Sequence, residues 1–174
     1  MRRIRYAVAA SLDGFIADLH GEADWIPRDP DMDFAALMAQ FDTLLVGRRT
    51  FETMVRAGRP TMPGMKTVVC STTLKSEDYP SVSVVRRDVE AVITELRSEG
   101  GKDVWLFGGG ELFSSLVSLG AVDTVEITVA PVLLGGGVPL LPVAGHRVQL
   151  ELTKHQIYPK SGLVRLEYTV RRAA

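Results

Sequence analysis

The sequence predicts an α/β fold in which a mostly parallel central sheet carries helices on both faces and ends in an antiparallel C-terminal hairpin. Short apolar runs typical of buried strands alternate along the chain with segments whose apolar residues recur at helical spacing. Strands separated by helices are usually joined by right-handed crossovers, which place them parallel in one sheet. Segments 149–158 and 163–171 alternate apolar and polar residues around the turn residues 159–162, which indicates the hairpin.

The composition restricts the kind of protein that the chain can be. Its 174 residues, 46% of them hydrophobic, suffice for a single domain over residues 1–174. The 20 basic and 21 acidic residues give a net charge of −1, so we expect neither a nucleic acid nor a membrane as partner. Cys70 is the only cysteine and the three histidines are scattered, so we expect no disulfide, no metal site and a cytoplasmic location.

The first part of the chain combines a strand with an unusually long connection. A nearly continuous apolar run predicts the first strand at residues 4–11. Residues 12–30 are irregular, and a connection of this length in a compact domain is often functional, so we expect it to form a mobile loop over the site. A helix capped by Asp31 or Asp33 should follow, with an apolar face formed by Phe34, Leu37, Met38 and Phe41.

The middle of the chain repeats a pattern of strand, polar turn and helix. Strands are predicted at residues 43–46, 66–70, 82–85 and 104–107. Asp88 should cap the helix after the third of these strands. Glycines 108–110 follow the fourth strand and lead into a helix whose apolar face is formed by Leu112, Phe113, Leu116 and Val117. In segment 124–129, Val and Ile alternate with Thr and Glu, which predicts a strand buried on one face only.

Residues suited to an anion follow several of these strands directly. They are glycine, arginine and threonine at 47–50, hydroxyl residues at 71–73, Arg86 of the pair Arg86 and Arg87, and glycines 108–110. Because ligands of parallel sheets bind beyond the carboxyl ends of the strands, we expect these groups on one rim, where they would form a polyphosphate site. The arginine clusters at residues 2–5 and 171–172 also suit a small anion. The alternative is that the glycines only make tight turns and the arginines are solvated.

Five separated motifs indicate a family. They are SLDGFIA at 11–17, LLVGRRTFE at 44–52, VVCSTTL at 68–74, FGGGELF at 107–113 and APVLLGGGVPLL at 130–141. In this order they resemble the dihydrofolate reductase superfamily, and most closely the branch that includes the reductase domain of bacterial riboflavin biosynthesis. The resemblance covers almost the whole chain and implies the three-layer dihydrofolate reductase-like fold.

The resemblance also implies NADPH as cofactor. By their positions in the family's motifs, Ala9 and Ile16 would contact the nicotinamide, and Gly47, Arg48, Arg49 and Thr50 would contact the phosphates. The 2′-phosphate would lie against Ser71, Thr72 and Arg86. The pyrophosphate would lie against Gly108, Gly109 and Gly110, and the helix would begin with Glu111 and Leu112. Since a carboxylate repels phosphate, we expect Glu111 to point away from it or to bind a ribose or substrate group.

The substrate side of the resemblance is less complete. Asp31 lies near the position of the carboxylate that assists protonation in folate reductases, but it is equally suited to cap a helix, and Asp29 and Asp33 compete for the role. Trp25, Asp13 and Thr128 match substrate-side positions. Met65 replaces the arginine that binds the glutamate tail of folate, and a thioether cannot bind a carboxylate, so efficient folate reduction is not expected.

These observations predict an NADPH-dependent reductase of a small heterocyclic substrate, pterin-like or pyrimidine-like. One alternative is the reduction of 5-amino-6-(5-phosphoribosylamino)uracil in riboflavin biosynthesis, which requires a second phosphate site that the sequence does not reveal. A second is an NADP-binding protein without turnover, and a third is a structural domain. The related riboflavin reductases associate as dimers, so we expect a homodimer formed through the apolar loop 132–143 and the C-terminal hairpin.

Overall fold

The structure is a computed structural model of the chain and describes residues 1–86, 88–142 and 147–171. Arg87 and Arg172, which belong to two of the basic clusters noted in the sequence, lie outside the described residues, as does residue 143 at the end of the apolar loop. Along the described part of the chain, no helix has the length and apolar character needed to cross a membrane.

An eight-stranded sheet forms the centre of the molecule, as the sequence predicts. Its strands are β1 (Ile4–Ser11), β3 (Phe41–Gly47), β4 (Lys66–Cys70), β5 (Ser83–Val85), β6 (Asp103–Gly108), β7 (Thr124–Ala130), β9 (Leu150–Tyr158) and β10 (Leu163–Val170). They are arranged in the order β5-β4-β3-β6-β1-β7-β10-β9. The six strands from β5 to β7 pair in parallel, whereas β10 is antiparallel to both β7 and β9. The C-terminal hairpin is therefore confirmed.

Helices cover both faces of the sheet. They are α1 (Phe34–Met38), α2 (Arg48–Arg56), α3 (Val89–Ser98) and α4 (Gly110–Ser118). Successive side chains of a strand point to opposite faces. On β1, Ile4 and Tyr6 join the core formed with α3 and α4, whereas Ala7 joins the core formed with α2. The three-layer arrangement follows from this division of the apolar side chains.

The first predicted helix is shorter than its apolar pattern indicates. α1 has five residues, none of them buried, and Asp33 caps it by accepting a hydrogen bond from the Ala36 N–H. Phe41 does not extend the helix face but begins β3, where its ring stacks on Trp105 at a centroid distance of 5.2 Å. The apolar spacing that indicated one element therefore spans two.

The prediction that residues 124–129 are buried on one face only fails at one position, Glu126. Along the polar side of β7, which lies between β1 and β10 in the sheet, Thr124 and Thr128 are half-buried. Glu126, on the polar side of the alternation, is only 3% exposed. Its charge is compensated by Arg5, which is also buried.

The arginines near the N-terminus do not form an anion site. Arg2 and Arg5 are buried and Arg3 is exposed, but each of the three arginines pairs with a carboxylate from another element. Arg2 binds Asp42, and Arg3 binds Asp103. These pairs connect β1 to β3 and β6, so the cluster stabilises the sheet instead of presenting free charge.

The long connection between β1 and α1 is partly regular. It contains β2 (Phe15–Ala17), which pairs with β8 (Val138–Pro139) in a second, two-stranded sheet. Gly137 adopts a φ of +142° beside Ala17, where an added Cβ would collide with the backbone. The connection is thereby joined to the segment after β7, and together they form one wall of the cleft described next.

Candidate cofactor and substrate cleft

A cleft of about 1670 Å³ opens along the rim where the parallel strands end. Thirteen of the residues that the sequence assigns to a site line it: Ala9, Ile16, Gly47, Arg48, Arg49, Thr50, Ser71, Thr72, Gly109, Gly110, Glu111, Leu112 and Thr128. Five others do not contribute to its lining, namely Asp13, Trp25, Asp31, Arg86 and Gly108. Most residues that were expected to bind the cofactor therefore lie together in the cleft, whereas most residues that were expected to contact the substrate lie outside its lining.

Two helix N-termini meet in this cleft. α2 begins after Gly47 and α4 after Gly109, and neither has a side chain capping its free N–H groups. A Cβ added to Gly109 would lie 3.1 Å from Thr50 Oγ1, which measures how closely the two helix starts approach. By contrast, Asp33 caps α1 and Asp88 caps α3. Free N–H groups and the positive ends of two helix dipoles therefore face one space, as a pyrophosphate requires.

Ion pairs surround these helix starts. Arg48 Nη1 donates to Glu52 Oε1 at 3.0 Å within α2. Arg49 Nη1 donates to Glu111 Oε1 at 2.9 Å, with the two side chains 74% and 72% exposed. Glu111 was expected to point away from the phosphates or to bind a ribose or substrate group, and in the structure its carboxylate binds Arg49. Exposed pairs of this kind contribute only about 0–1 kcal/mol, so a phosphate can replace the carboxylates at small cost.

The end of β4 provides hydroxyl groups beside these helices. Ser71 Oγ accepts hydrogen bonds from the Thr73 and Leu74 N–H groups, at 3.2 and 3.0 Å, and so fixes the turn. Arg86 Nη2 donates to the Thr72 carbonyl at 2.7 Å, which holds this exposed side chain at the turn although it does not line the cleft. Burial raises the pKa of Cys70 to about 11, so its thiol stays protonated near neutral pH.

The floor of the cleft comes from neighbouring strands in register. Ala9 on β1 pairs with Thr128 on β7, and Thr128 pairs with Arg165 on β10. Glu126 and Arg165 both line the cleft, and the sequence analysis identified neither of them as a site residue. Their only signal in the sequence is a charged residue within each alternating segment, and this signal becomes specific only once the strand register is known.

Glu126 is a fully engaged carboxylate. Oε1 accepts from Arg5 Nε at 2.6 Å and from Thr124 Oγ1 at 3.0 Å, and Oε2 accepts from Arg5 Nη2 at 2.8 Å and from Arg165 Nη2 at 3.0 Å. Burial alone would raise the pKa of Glu126, but hydrogen bonds and charge attraction from Arg5, with help from Thr124 and Arg165, outweigh it and hold the pKa below its usual range. The group is therefore ionised at neutral pH.

The other half of the cleft is apolar. Its lining includes Ile26, Pro27, Met32, Phe34, Leu37, Met38, Met54, Met62, Pro63, Trp105, Phe107 and Leu163. The Phe34 side chain is 53% exposed, and its ring meets Trp105 edge to face at a centroid distance of 6.3 Å. Met65 packs against the core beneath α2 and does not line the cleft. These surfaces suit a flat, largely apolar ring.

Two arginines missed by the sequence analysis lie in this half. Arg28 and Arg59 come from separate loops, and both are exposed and line the cleft. Neither side chain makes a hydrogen bond or ion pair with the part of the chain that the structure describes. They show no pattern in the sequence because 31 positions separate them, and only the fold brings both to the cleft.

The three aspartates before α1 have different environments. Asp33 caps the helix, and Asp31, the expected catalytic residue, pairs with Lys160 at 2.9 Å in an exposed position outside the cleft lining. Asp29 is the member that reaches the cleft, and it accepts hydrogen bonds from the Asp31 and Ser161 N–H groups at 2.9 and 3.0 Å. The hydrogen bond from Ser161 is the main reason that the pKa of Asp29 lies below its usual value.

Asp13 and Trp25 support loops outside the cleft lining. The Asp13 carboxylate accepts hydrogen bonds from the Leu134 and Gly135 N–H groups, at 3.1 and 2.7 Å, and so joins the first loop to the one after β7. Trp25 packs against the small core of Ala130, Tyr158 and Leu163. Among the described residues there is no cluster of three or more acidic, histidine or cysteine side chains arranged to hold a metal ion.

Comparison with known proteins agrees with this architecture. The dihydrofolate reductase of Enterococcus faecalis, solved in complex with NADP(H) and RAB-propyl, superimposes with a TM-score of 0.71 over 98% of this chain and 97% of its own, at 18% identity. This likeness confirms the predicted fold. A Shewanella sp. PV-4 protein assigned provisionally to riboflavin biosynthesis is nearer, with a TM-score of 0.85 and 28% identity over 99% of this chain and 100% of its own.

Sequence relationships place the chain within the superfamily. The uncharacterised protein YyaP of Bacillus subtilis strain 168 is 33% identical over 179 residues, which cover 96% of this chain and 94% of YyaP. The family model of the RibD C-terminal domain matches residues 2–163. The match includes both uncapped helix starts and Ala9 and Thr128 of the strand floor, whereas Arg165 lies just beyond it. The resemblance noted in the sequence is therefore confirmed, and the chain belongs to the RibD C-terminal domain family.

Proposed function

We propose that this protein is an NADPH-dependent reductase of a small, flat heterocycle, pterin-like or pyrimidine-like. The observation that carries the proposal is the meeting of two uncapped helix starts, at Gly47 and Gly109, in a cleft that continues to an apolar chamber. The first feature suits the pyrophosphate of a dinucleotide and the second suits a ring beside its nicotinamide. The NADP(H) held by the E. faecalis enzyme of the same fold supports this assignment.

The residues of the cleft divide into two sets. The cofactor's phosphates would be held by the N–H groups of α2 and α4 with Arg48 and Arg49, and its 2′-phosphate by Ser71, Thr72 and Arg86. The space beside Gly109 is suited to the pyrophosphate because no side chain occupies it, and a Cβ at this position would take up part of that space. NADPH supplies a hydride when bound. The chain positions the acceptor over Thr128 and excludes water with the wall formed by β2 and β8.

The proton that accompanies the hydride is proposed to come from water. Glu126 is ionised, and its two oxygens already accept four hydrogen bonds from protein groups. Asp29 is committed to two backbone N–H groups, and hydrogen bonding lowers its pKa. Asp31 lies outside the cleft lining. The pKa of Glu126 and that of Asp29 are both lowered, whereas a general acid needs a raised pKa, and Asp31 is excluded by its position alone.

The cofactor can be tested by thermal unfolding of the purified protein over a titration of NADPH, with NADH as the parallel control. A ligand that binds only the folded state raises the midpoint according to its affinity. We expect a saturable shift with NADPH and a much smaller one with NADH. No shift with either nucleotide would contradict the proposal. Consumption of NADPH with a panel of pterins and pyrimidines then separates an enzyme from a nucleotide-binding protein without turnover.

A specific observation supports one alternative substrate. Reduction of 5-amino-6-(5-phosphoribosylamino)uracil requires a second phosphate site. Arg28 and Arg59 are basic side chains in the apolar half of the cleft that form no ion pair with any described residue. If this is the substrate, replacing both arginines by alanine should raise its KM strongly and leave the NADPH-dependent thermal shift unchanged. An unphosphorylated pyrimidine should then be a poor substrate for the parent protein.

Three further expectations remain proposals. We propose that the chain is one domain, that it acts in the cytoplasm, and that it forms a homodimer. The edge strand β9 exposes Leu150, Leu152 and Ile157, which supports a dimer surface on the C-terminal hairpin. Sedimentation of the parent protein and of a variant with Ile157→Lys tests it, because a charge at such an interface should release monomers.

A further inference from the structure

Arg165 presents hydrogen-bond donors to the cleft that the described part of the chain does not use. Its Nη2 donates to Glu126 Oε2 at 3.0 Å and lies 3.0 Å from Glu167 Oε1. Its Nε and Nη1 make no hydrogen bond to any described residue, and neither belongs to the buried atoms that lack a partner. These two N–H sites are therefore open to a molecule in the cleft.

The guanidinium group is held in place before any ligand arrives. The Arg165 side chain is 16% exposed, and carboxylates on two strands, Glu126 on β7 and Glu167 on β10, contact the same nitrogen. Glu126 is itself fixed by two hydrogen bonds from Arg5. A planar fork fixed in this way loses little conformational entropy when it binds a ligand.

The surrounding charges favour an uncharged ligand group. Arg5 and Arg165 face Glu126 and Glu167. Arg5 also contacts Asp103, which Arg3 binds, so three positive charges are balanced by three negative ones. A carboxylate or phosphate placed beside Arg165 would gain little net attraction while losing its hydration. A neutral carbonyl oxygen can still accept from the free N–H groups. A ring amino group is itself a hydrogen-bond donor, and it finds no partner here because arginine offers no acceptor atom.

The position of Arg165 is suited to contact an acceptor ring. Ala9, Thr128 and Arg165 lie side by side on three adjacent strands. With strands about 4.8 Å apart, the backbone of Arg165 lies roughly 10 Å from that of Ala9, the residue assigned to the nicotinamide. A one- or two-ring heterocycle over Thr128 therefore spans the distance between the cofactor and the Arg165 side chain.

We propose that Arg165 is a specificity-determining residue that donates a hydrogen bond to a ring carbonyl oxygen of an uncharged, planar acceptor. This inference rests on the proposed reductase function and identifies the residue by which the site distinguishes a ring carbonyl group from a ring amino group. The corresponding amino compounds are rejected because they place an N–H group against the N–H groups of Arg165. A site whose donors are arranged for an acceptor binds a ligand that presents a donor much more weakly, because the buried donors of the site are then left without partners.

The test compares pterin with 2,4-diaminopteridine, which differs by an amino group in place of the carbonyl oxygen. Both are titrated by calorimetry into the protein saturated with NADP⁺. We expect the parent protein to bind pterin at least about tenfold more tightly. In Arg165→Lys, which retains the charge but loses the fork, pterin affinity should fall by about 10-fold or more and the preference should largely disappear.

Arg97→Lys is the matched control, because Arg97 has a similar exposure of 18%, pairs with Asp123 and does not line the cleft. It should behave as the parent protein. Thermal shifts with NADPH are measured on all three proteins. If NADPH causes no shift, the proposed function itself fails. If NADPH binds but pterin does not, or both pteridines bind equally, or Arg165→Lys keeps the preference, the reductase reading stands and the role of Arg165 is rejected.

Discussion

Arg49 on α2 and Glu111 on α4 form an ion pair of 2.9 Å that joins the starts of the two helices at the cleft. The pair places a negative charge beside the N–H groups that we assign to the cofactor's phosphates. Glu111 also occupies a guanidinium nitrogen that a phosphate would use. The carboxylate and the phosphates therefore compete for the same positive site.

Replacing Glu111 by glutamine should strengthen NADPH binding. The change removes a repulsive charge and frees Arg49, so we expect an increase in affinity of about two- to tenfold at low salt, which shrinks as salt screens the charges. Arg49→Ala should act in the opposite direction. Fluorescence titration of NADPH at two salt concentrations measures both effects, with Glu151→Gln, which removes the partner of Arg171 away from the cleft, as control. Equal affinities for Glu111→Gln and the parent protein would remove the pair from the site.

The neighbouring glycines of α4 should respond differently to alanine. At Gly110 a Cβ would lie 2.7 Å from the Pro139 carbonyl oxygen and 2.8 Å from Pro142 Cδ, so Gly110→Ala should destabilise the fold by about 1–3 kcal/mol. At Gly109 the one described atom that a Cβ would meet is Thr50 Oγ1, at 3.1 Å, so this Cβ should mainly obstruct the phosphate cradle.

Urea unfolding and NADPH titration of both variants separate these effects. Gly109→Ala should retain most of the stability and lose cofactor affinity. A Gly109→Ala variant that binds NADPH as tightly as the parent protein would show that the pyrophosphate lies elsewhere.

Removing the buried charge at Glu126 should destabilise the protein strongly. Glu126→Gln retains the shape but leaves Arg5, which is buried, without its main counter-charge, and breaking a buried pair from one side costs about 3–5 kcal/mol. Chemical denaturation measures the loss. The exposed pair of Asp31 and Lys160 provides the comparison, because Asp31→Asn should cost less than about 1 kcal/mol. Similar losses for the two variants would show that the Glu126 cluster is not coupled to stability.

The same cluster should determine part of the acid sensitivity of the fold. The pKa of Glu126 is depressed in the folded protein, so its contribution is complete above the unfolded value of about 4.3 and is lost as pH falls through the folded value. The pKa of Asp103 is also depressed, since its bonds with Arg3 and Arg5 outweigh the opposing effect of burial. Stability should therefore fall below about pH 4.3. Denaturation curves between pH 3 and 6 should show a shallower fall in Glu126→Gln than in the parent protein.

The sequence predicted elements well where one local pattern decides them. The limits of β1 and β4 agree with the runs read from the chain, and Asp88 caps α3 as expected. Local patterns failed where a distant partner changes the outcome. Phe41 continues the spacing of α1, but the packing of its ring on Trp105 belongs to the sheet. The side chain of Glu126 looked solvated because nothing near it in the sequence shows that Arg5 covers it.

Among the candidate site residues, those on glycine-rich turns after strands line the cleft with the exception of Gly108, whereas Asp13, Trp25 and Asp31 in the loops do not. Gly47 and Gly109 follow strands whose order and direction fix where they end. Asp31 lies in an irregular segment where neighbouring aspartates are equivalent in sequence. Its pairing with Lys160 and the hydrogen bond of Asp29 with Ser161 depend on the distant hairpin turn.

The sequence by itself determined the alternation of strands and helices, the family and the two glycine-rich helix starts, because each depends on residues close together in the chain. Only the tertiary structure decided which charges remain available in the cleft. Register between strands and approach between helices determine that Arg49 pairs with Glu111 and that Glu126 pairs with Arg5 and Arg165. They also determine that no described residue uses the remaining N–H groups of Arg165. Charges interact through space, so their state follows from contacts that no local pattern records.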